Sequence, residues 1–312
     1  VQTIKVSVII CTYNPDRNIL EQVLKALSMQ TLEQRYWELI IVDNNSDMAI
    51  AQVTDIQFPH SARIITEAAP GLVFARIAGF NACTKGTLIV FIDDDNVAAP
   101  DYLEQALRFN EAHPQVGCFG GRSIPAFETA PPNWLVQTGI NLGCQDFGEE
   151  PYMSAYAATG YQLQHYPEKA PIGTGMVIQH NAFAAYMSTL NSDKLSLGRK
   201  AAALTSGEDN DIVITIVKNG YEIAYVPQLI IRHLIPARRY SYVYLKEMAF
   251  KSNVSWMRVL TMHQINPHSP IPGWTVPLRQ YKAWFVLSAW KSRPNYIKWC
   301  GVCGMFKGLS AS

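Results

Sequence analysis

Thr87-Leu-Ile-Val-Phe-Ile-Asp-Asp-Asp-Asn96 joins a continuous apolar run to three consecutive carboxylates. An apolar run of this length, without polar alternation, fits a strand covered on both faces. Three like charges at the end of such a strand repel one another unless something offsets them. Hard Mg²⁺ or Mn²⁺ does so with a few carboxylate oxygens and completes its shell with substrate phosphates. A solvated acidic turn is the plainer reading of the same residues. A phosphatase-type D-x-D-x-T signature does not fit, because the run continues into Asn96-Val97 and follows a later strand.

Strand and helix signals alternate around this run. Val6–Cys11 is a β-rich stretch that Thr12-Tyr13-Asn14-Pro15 breaks. Ile19, Leu20, Val23, Leu24 and Leu27 then recur at helical spacing. Glu38–Val42 reads as a second strand closing on the turn residues Asp43-Asn44-Asn45-Ser46. Arg63–Thr66 reads as a third strand, Gly71–Cys83 as a helix, and Pro100-Asp101 opens a helix to His113. Such units predict an α/β fold whose central sheet is largely parallel and flanked by helices. Ligands of these sheets bind beyond the carboxyl ends of the strands. Thr12-Tyr13, Asp43 and Asp93–Asp95 all stand at such ends and are expected to share one crevice.

From Pro125 to Pro171 periodicity gives way to Pro, Gly and aromatics, which predicts a lid or binding surface. Met176–Gln179 resumes a strand and Asn181–Leu190 a helix. Gly207-Glu208-Asp209 precedes the helical run Ile212–Lys218, which Gly220 closes. Ile223–Val226 and Leu229–Ile231 read as two strands ending near His233. Helical spacing returns beyond Arg239 to about His263, Pro267–Pro277 interrupts it, and short aromatic helices follow.

A hydrophobic share of 48% against 16% charged residues supports a sizeable core and argues against disorder. The six scattered cysteines suit reduced, buried thiols, and Cys300-x-x-Cys303 lacks the second ligand pair that zinc needs. The start carries no signal-peptide pattern and no run is long enough to span a bilayer, so a cytoplasmic location is expected. The net charge of +1 hides an asymmetry: Met248–Ser312 holds eight Lys/Arg and no acid, leaving 18 basic against 25 acidic residues before it. Five of the seven tryptophans lie in that basic tail. Aromatic and basic residues without acids suit an anionic membrane surface, at the inner face of the cytoplasmic membrane. A helical layer packed on the core is the plainer alternative. Nucleic acid is not an expected partner, because the rest of the chain is acidic.

Six segments, taken in order, resemble glycosyltransferase family 2, the inverting enzymes with the GT-A fold. They are Val6-Ser-Val-Ile-Ile-Cys-Thr-Tyr-Asn14, Glu38-Leu-Ile-Ile-Val-Asp-Asn-Asn-Ser46, Gly71-Leu-Val-Phe-Ala-Arg-Ile-Ala-Gly79, Phe91-Ile-Asp-Asp-Asp-Asn96, Gly173-Thr-Gly175 and Gly207-Glu-Asp-Asn-Asp211. The resemblance covers about residues 5–235 and is nearest to bacterial members that build exported polysaccharides. It implies a catalytic domain over 1–235, with a nucleotide-sugar half to about residue 120 and an acceptor half after it. Residues 236–312 then form a helical C-terminal appendage.

Carried over by position, Thr12, Tyr13 and Asn14 belong to the donor site, and Asp43 matches an acidic residue that meets a uracil-type base. Arg76 matches an arginine near base and phosphate, although Ile77 replaces the Asn that usually follows it. The acidic motif fits as the spaced pair Asp93/Asp95 or the adjacent pair Asp94/Asp95; Asp95 is the metal ligand under either alignment, while Asp93 or Asp94 meets the ribose. Glu208-Asp209 matches the pair whose Asp is taken as general base, and His233 stands where some relatives ligate the metal. A capping carboxylate and a structural histidine are the plainer readings.

The implied reaction is Mg²⁺- or Mn²⁺-dependent transfer of a sugar, with inversion, from a nucleotide-diphosphate donor to a saccharide or lipid-linked hydroxyl. UDP is the preferred nucleotide. A nucleotidyltransferase would want a Gly-rich, basic loop after the first strand, which Cys11-Thr-Tyr-Asn-Pro15 is not. A non-catalytic sugar-nucleotide-binding subunit of a polysaccharide assembly complex is the alternative, favoured by Ile77 and opposed by the intact Asp95 and Asp209.

Overall fold

The computed structural model describes residues 4–54, 62–154, 163–191 and 207–310. Among them, nine strands form one sheet: β1 Val6–Thr12, β2 Trp37–Asp43, β3 Ala62–Thr66, β4 Leu88–Asp93, β5 Asn96–Ala98, β6 Val116–Phe127, β7 Tyr152–Met153, β8 Val177–Gln179 and β9 Glu222–Ile235. The order is β3-β2-β1-β4-β8-β6-β9-β5, with β7 on β9. The helices are α1 Arg17–Ser28, α2 Ile50–Val53, α3 Leu72–Ala82, α4 Tyr102–Ala112, α5 His180–Asn191, α6 Glu208–Lys218, α7 Tyr242–Met262, α8 Val276–Val286 and α9 Arg293–Leu309.

Alternation within β1 feeds two cores. Val6, Val8 and Ile10 pack with Leu20, Val23, Leu24 and Leu27 of α1, while Ile9 joins Ile40, Val42, Ile89 and Phe91 beneath α3 on the other face. The Asp16 carboxylate caps α1 by accepting from the Ile19 N–H at 3.2 Å. Close approach of α3 depends on Gly79, where a Cβ would stand 2.5 Å from Ile9 Cγ2.

The sheet is less parallel than the sequence predicts. β3, β2, β1 and β4 run parallel, as do β6 and β9, but β8 is antiparallel to both β4 and β6, and β5 and β7 are antiparallel to β9. β6 is a twelve-residue strand that the sequence reading leaves unassigned and whose last three residues enter the stretch from Pro125 expected as lid. Gly117, Gly120, Gly121 and Pro125 dilute its β signal, yet a Cβ at Gly121 would overlap the carbonyls of Val226 and Leu229, so the glycine permits the pairing. The two strands expected before His233 are one, β9, whose pairing with β6 shifts register between Gly120 and Arg122. Residues 155–162, part of the expected lid, lie outside the described residues.

After β9 the chain is helical, and α7 and α9 pack together. A Cβ at Gly304 would overlap the Phe250 carbonyl and one at Gly308 would lie 2.7 Å from Met257 Cβ, so these glycines let the helices meet. No helix of the described residues is long and apolar enough to cross a membrane.

Candidate active site

Parallel register sets the floor of the site. Thr12 pairs with Asp43 across β1 and β2, and Cys11 pairs with Asp93 across β1 and β4, so the carboxyl ends of the three strands align. From there a cleft of about 740 Å³ opens, of a size suited to a small ligand. Thr12, Tyr13, Arg76, Asp93, Asp94, Asp95, Glu208, Asp209 and His233 all line it. Two expected donor residues do not. Asp43 is buried and its carboxylate accepts from the Ser46 N–H at 2.9 Å, so Asn44 lines the cleft instead. Asn14 borders an adjoining pocket of about 280 Å³ and ties the end of β1 to the loop after β2, exchanging two 2.9 Å hydrogen bonds with Asp47.

The acidic run is held from three directions. Thr12 Oγ1 donates to Asp94, and the antiparallel pairing of β5 with β9 sets His233 opposite Asn96. His233 Nε2 then lies 3.3 Å from Asp95 Oδ2, and Arg239 Nη1 donates to that same oxygen at 2.7 Å. Burial raises Asp93 to about 7, with repulsion from Asp95 adding to it, and burial raises Asp94 to about 6. Burial would lower His233, but its hydrogen bonds to Asp95 and Cys144 outweigh that and push it up to about 9. Oxygen donors with one imidazole fit a hard divalent cation that finds further ligands on a substrate. Among the described residues no group of three or more His, Cys, Asp or Glu side chains is placed to hold a metal ion, so a cation here would need ligands from a substrate.

A second acidic group faces the cleft from α6. Gly207, at φ +118°, takes the left-handed turn that starts this helix. Asp209 accepts from the Gly173 N–H at 2.9 Å and pairs with Arg76 Nη1 at 2.5 Å. Arg76 is buried, lies 5.3 Å over the Phe91 ring, and stays charged because Asp209 and Glu208 outweigh its desolvation. It pairs with these carboxylates while still lining the cleft. Burial raises Glu208 to about 7, and its Oε2, 3.7 Å from Arg76, accepts no hydrogen bond.

Sequence reasoning missed Arg239 and Asn44 in the lining of this cleft and Cys144 beside His233, and it gave Gly173 a place in a family segment but no role. Arg239 carried a legible signal: it stands six residues after His233, in the first turn beyond β9. Cys144 carried none, since only the fold brings its Sγ within 3.7 Å of His233 Nδ1. Cys300 and Cys303 lie on α9 as free thiols, away from the cleft.

Comparison with known proteins agrees with this architecture. The model of the glycosyltransferase-like family 2 matches residues 4–254. The chain belongs to that family. Its mixed sheet flanked by helices is the GT-A-like fold of family 2. A glucosyl-dolichyl phosphate glucuronosyltransferase of Haloferax volcanii is 28% identical over 152 residues, 46% of this chain and 47% of that protein. EpsH of Bacillus subtilis is 32% identical over 109 residues, 34% of this chain and 30% of that protein. The chain thus spans about half the length, or less, of these curated relatives. Two solved structures share the fold: S. aureus TarS 1–349 (TM-score 0.53, 13% identity, 97% of this chain, 89% of that one) and the mannosyltransferase PcManGT of Pyrobaculum calidifontis (TM-score 0.55, 15% identity, 97% and 74%).

Proposed function

We propose that this family 2 chain transfers a sugar, with inversion, from a nucleoside-diphosphate donor to a saccharide or lipid-linked hydroxyl in polysaccharide or glycoconjugate synthesis. One observation carries the reading: Asp93–Asp95 at a strand end and Asp209 at a helix start line the same cleft. Inversion is a single displacement. The acceptor oxygen bonds to the anomeric carbon as the bond from that carbon to the diphosphate breaks, and the acceptor proton must go to a base. Asp209 is that base, held by the Gly173 N–H and Arg76 so that its carboxylate has a fixed aim. Glu208, 3.7 Å from Arg76, adds a second negative charge beside the guanidinium.

Asp95 would hold Mg²⁺ or Mn²⁺, with His233 and either Asp93 or Asp94, and that cation supplies positive charge for the departing diphosphate. Thr12 and Tyr13 line the donor side of the cleft, and UDP is the first nucleotide to test. Similar proteins are consistent with this: PcManGT has been solved in complex with GDP-Man and Mn2+, and TarS 1–349 in complex with UDP. The dolichyl phosphate in the Haloferax volcanii relative's name supports a lipid-linked acceptor and, with it, work at the inner face of the cytoplasmic membrane. The test is Asp209→Asn, which should abolish metal-dependent release of UDP from a UDP-sugar while UDP binding persists. Equal loss of both would remove Asp209 from the role of base.

A further inference from the structure

The helical layer after β9 buries one set of aromatics and leaves another outside. Trp284 packs edge-on against Trp299 and Tyr296, ring centroids 5.0 and 5.8 Å apart, and Trp299 Nε1 donates to the Gln280 carbonyl at 2.9 Å. These contacts fasten α8 to α9. Of the residues of α8, only Ala283 is buried. Leu278, Tyr281 and Phe285 share the side turned away from it and are 64%, 68% and 51% exposed. Trp274 before the helix and Trp290 after it are exposed as well, at 76% and 53%. A surface helix normally turns such a stripe inward. An outward stripe lengthened by two tryptophans is an interaction surface.

Charge decides what covers it. Arg279, Lys282 and Lys291 are exposed around the stripe, and no Asp or Glu occurs from Met248 to Ser312. A cleft of about 520 Å³ beside the start of α8 is lined by Arg258 and Lys307. The covering partner must therefore offer a wide apolar phase edged by anions, which is what the headgroup region of an anionic bilayer presents. We infer that α8, with Trp274 and Trp290, is an interfacial anchor: the stripe enters the headgroup–acyl boundary and the basic residues meet lipid phosphates. The inference names the surface behind the lipid-linked acceptor proposed above and rests on that reading for its purpose, while its test reads the two separately.

The full chain is mixed with vesicles of equal parts phosphatidylglycerol and phosphatidylcholine, and with phosphatidylcholine alone, and followed by co-sedimentation and tryptophan emission. Binding with a blue shift is expected on the anionic vesicles and little on the neutral ones. Leu278→Ser/Tyr281→Ser/Phe285→Ser should lower partitioning on the order of a hundredfold, because three apolar side chains no longer leave water. Lys282→Gln/Lys291→Gln should lower it on the order of twentyfold, from about fivefold per basic residue near an anionic surface. UDP binding by calorimetry should stay unchanged in both variants, since no altered residue lines the cleft. Three outcomes would each overturn the anchor: wild type ignoring anionic vesicles, the serine variant binding like wild type, or the stripe instead holding two copies together, seen as a dimer that the serine variant splits. Loss of vesicle binding with UDP binding kept would leave the transfer reading standing, and wild type that binds vesicles but not UDP would sink that reading alone.

Discussion

Gly173→Ala adds one methyl group at the point where the proposed base is held. A Cβ there would overlap the Asp209 carboxylate. The carboxylate is 32% exposed and can move only toward solvent, because Oδ1 already meets Arg76, whose side chain is 4% exposed. To make room, Asp209 must give up the 2.9 Å bond from the Gly173 N–H and strain the ion pair. Hydrogen bonds to charged groups contribute about 1.5–3 kcal/mol each, so the displaced side chain would settle in a new position rather than return. A misplacement near 1 Å costs on the order of 100-fold in rate, and that is the expected fall in kcat. UDP affinity should change by less than about threefold, since a group used only in the chemical step alters kcat rather than ligand binding. Donor turnover measured as UDP release, beside calorimetric UDP titration, separates the two. Asp209→Asn is the matched control, keeping the shape while removing the basicity. A Gly173→Ala enzyme turning over at near the wild-type rate would show that the Asp209 position does not matter to the chemistry.

Arg239→Gln removes the guanidinium that occupies Asp95 Oδ2 at 2.7 Å. Nucleotide-free Mn²⁺ binding, followed by electron paramagnetic resonance, should tighten about tenfold because a competing positive charge has gone; unchanged or weaker binding counts against Asp95 as the metal ligand. Gly304→Ala should lose about 1–3 kcal/mol in urea unfolding, as overpacking costs. Its Cβ would overlap the Phe250 carbonyl, which outweighs the gain of about 1 kcal/mol in helix propensity. A more stable variant would mean that α7 and α9 can separate without penalty.

Legibility in the sequence followed how each part is stabilised. β1, β2 and β4 are uniform apolar runs buried on both faces, so periodicity alone placed them, and their polar ends located most of the cleft. β6 stayed hidden because close backbone approach to β9 requires glycine, and glycine erases the β signal that patterning detects. β9 read as two strands because Pro227-Gln228 interrupts its apolar run, while the register shift against β6 absorbs that interruption. Asp43 read as a ligand group because it ends a strand; the Ser46 N–H it accepts comes from a turn whose shape composition does not specify. Arg239 stands close enough to His233 in sequence to be suspected, but its partner Asp95 lies 144 positions away, and the β5–β9 pairing that sets His233 opposite Asn96 is not legible in the sequence.

That same pairing bears on what the helices after β9 contribute. Asp95 is held by Arg239, from the turn that follows β9. Two residues beyond Asp209 on α6, buried Asp211 accepts from Tyr186 OH at 3.2 Å and meets His263 Nε2 at 2.6 Å, just past the end of α7. Both acidic groups of the cleft, the strand end and the helix start, are thus tied to the downstream helices by charged or buried hydrogen bonds, the kind whose loss costs most. Leu135, Leu142 and Cys144 bury their side chains with Tyr240, Leu245 and Ile297, and Arg293 stacks over Trp134, so the wall that includes Gly143 packs on those helices too. A cation held at Asp95 and a base held at Asp209 can act on one bond only if the distance between them is kept. Packing of the downstream helices against both groups is a physical means of keeping it.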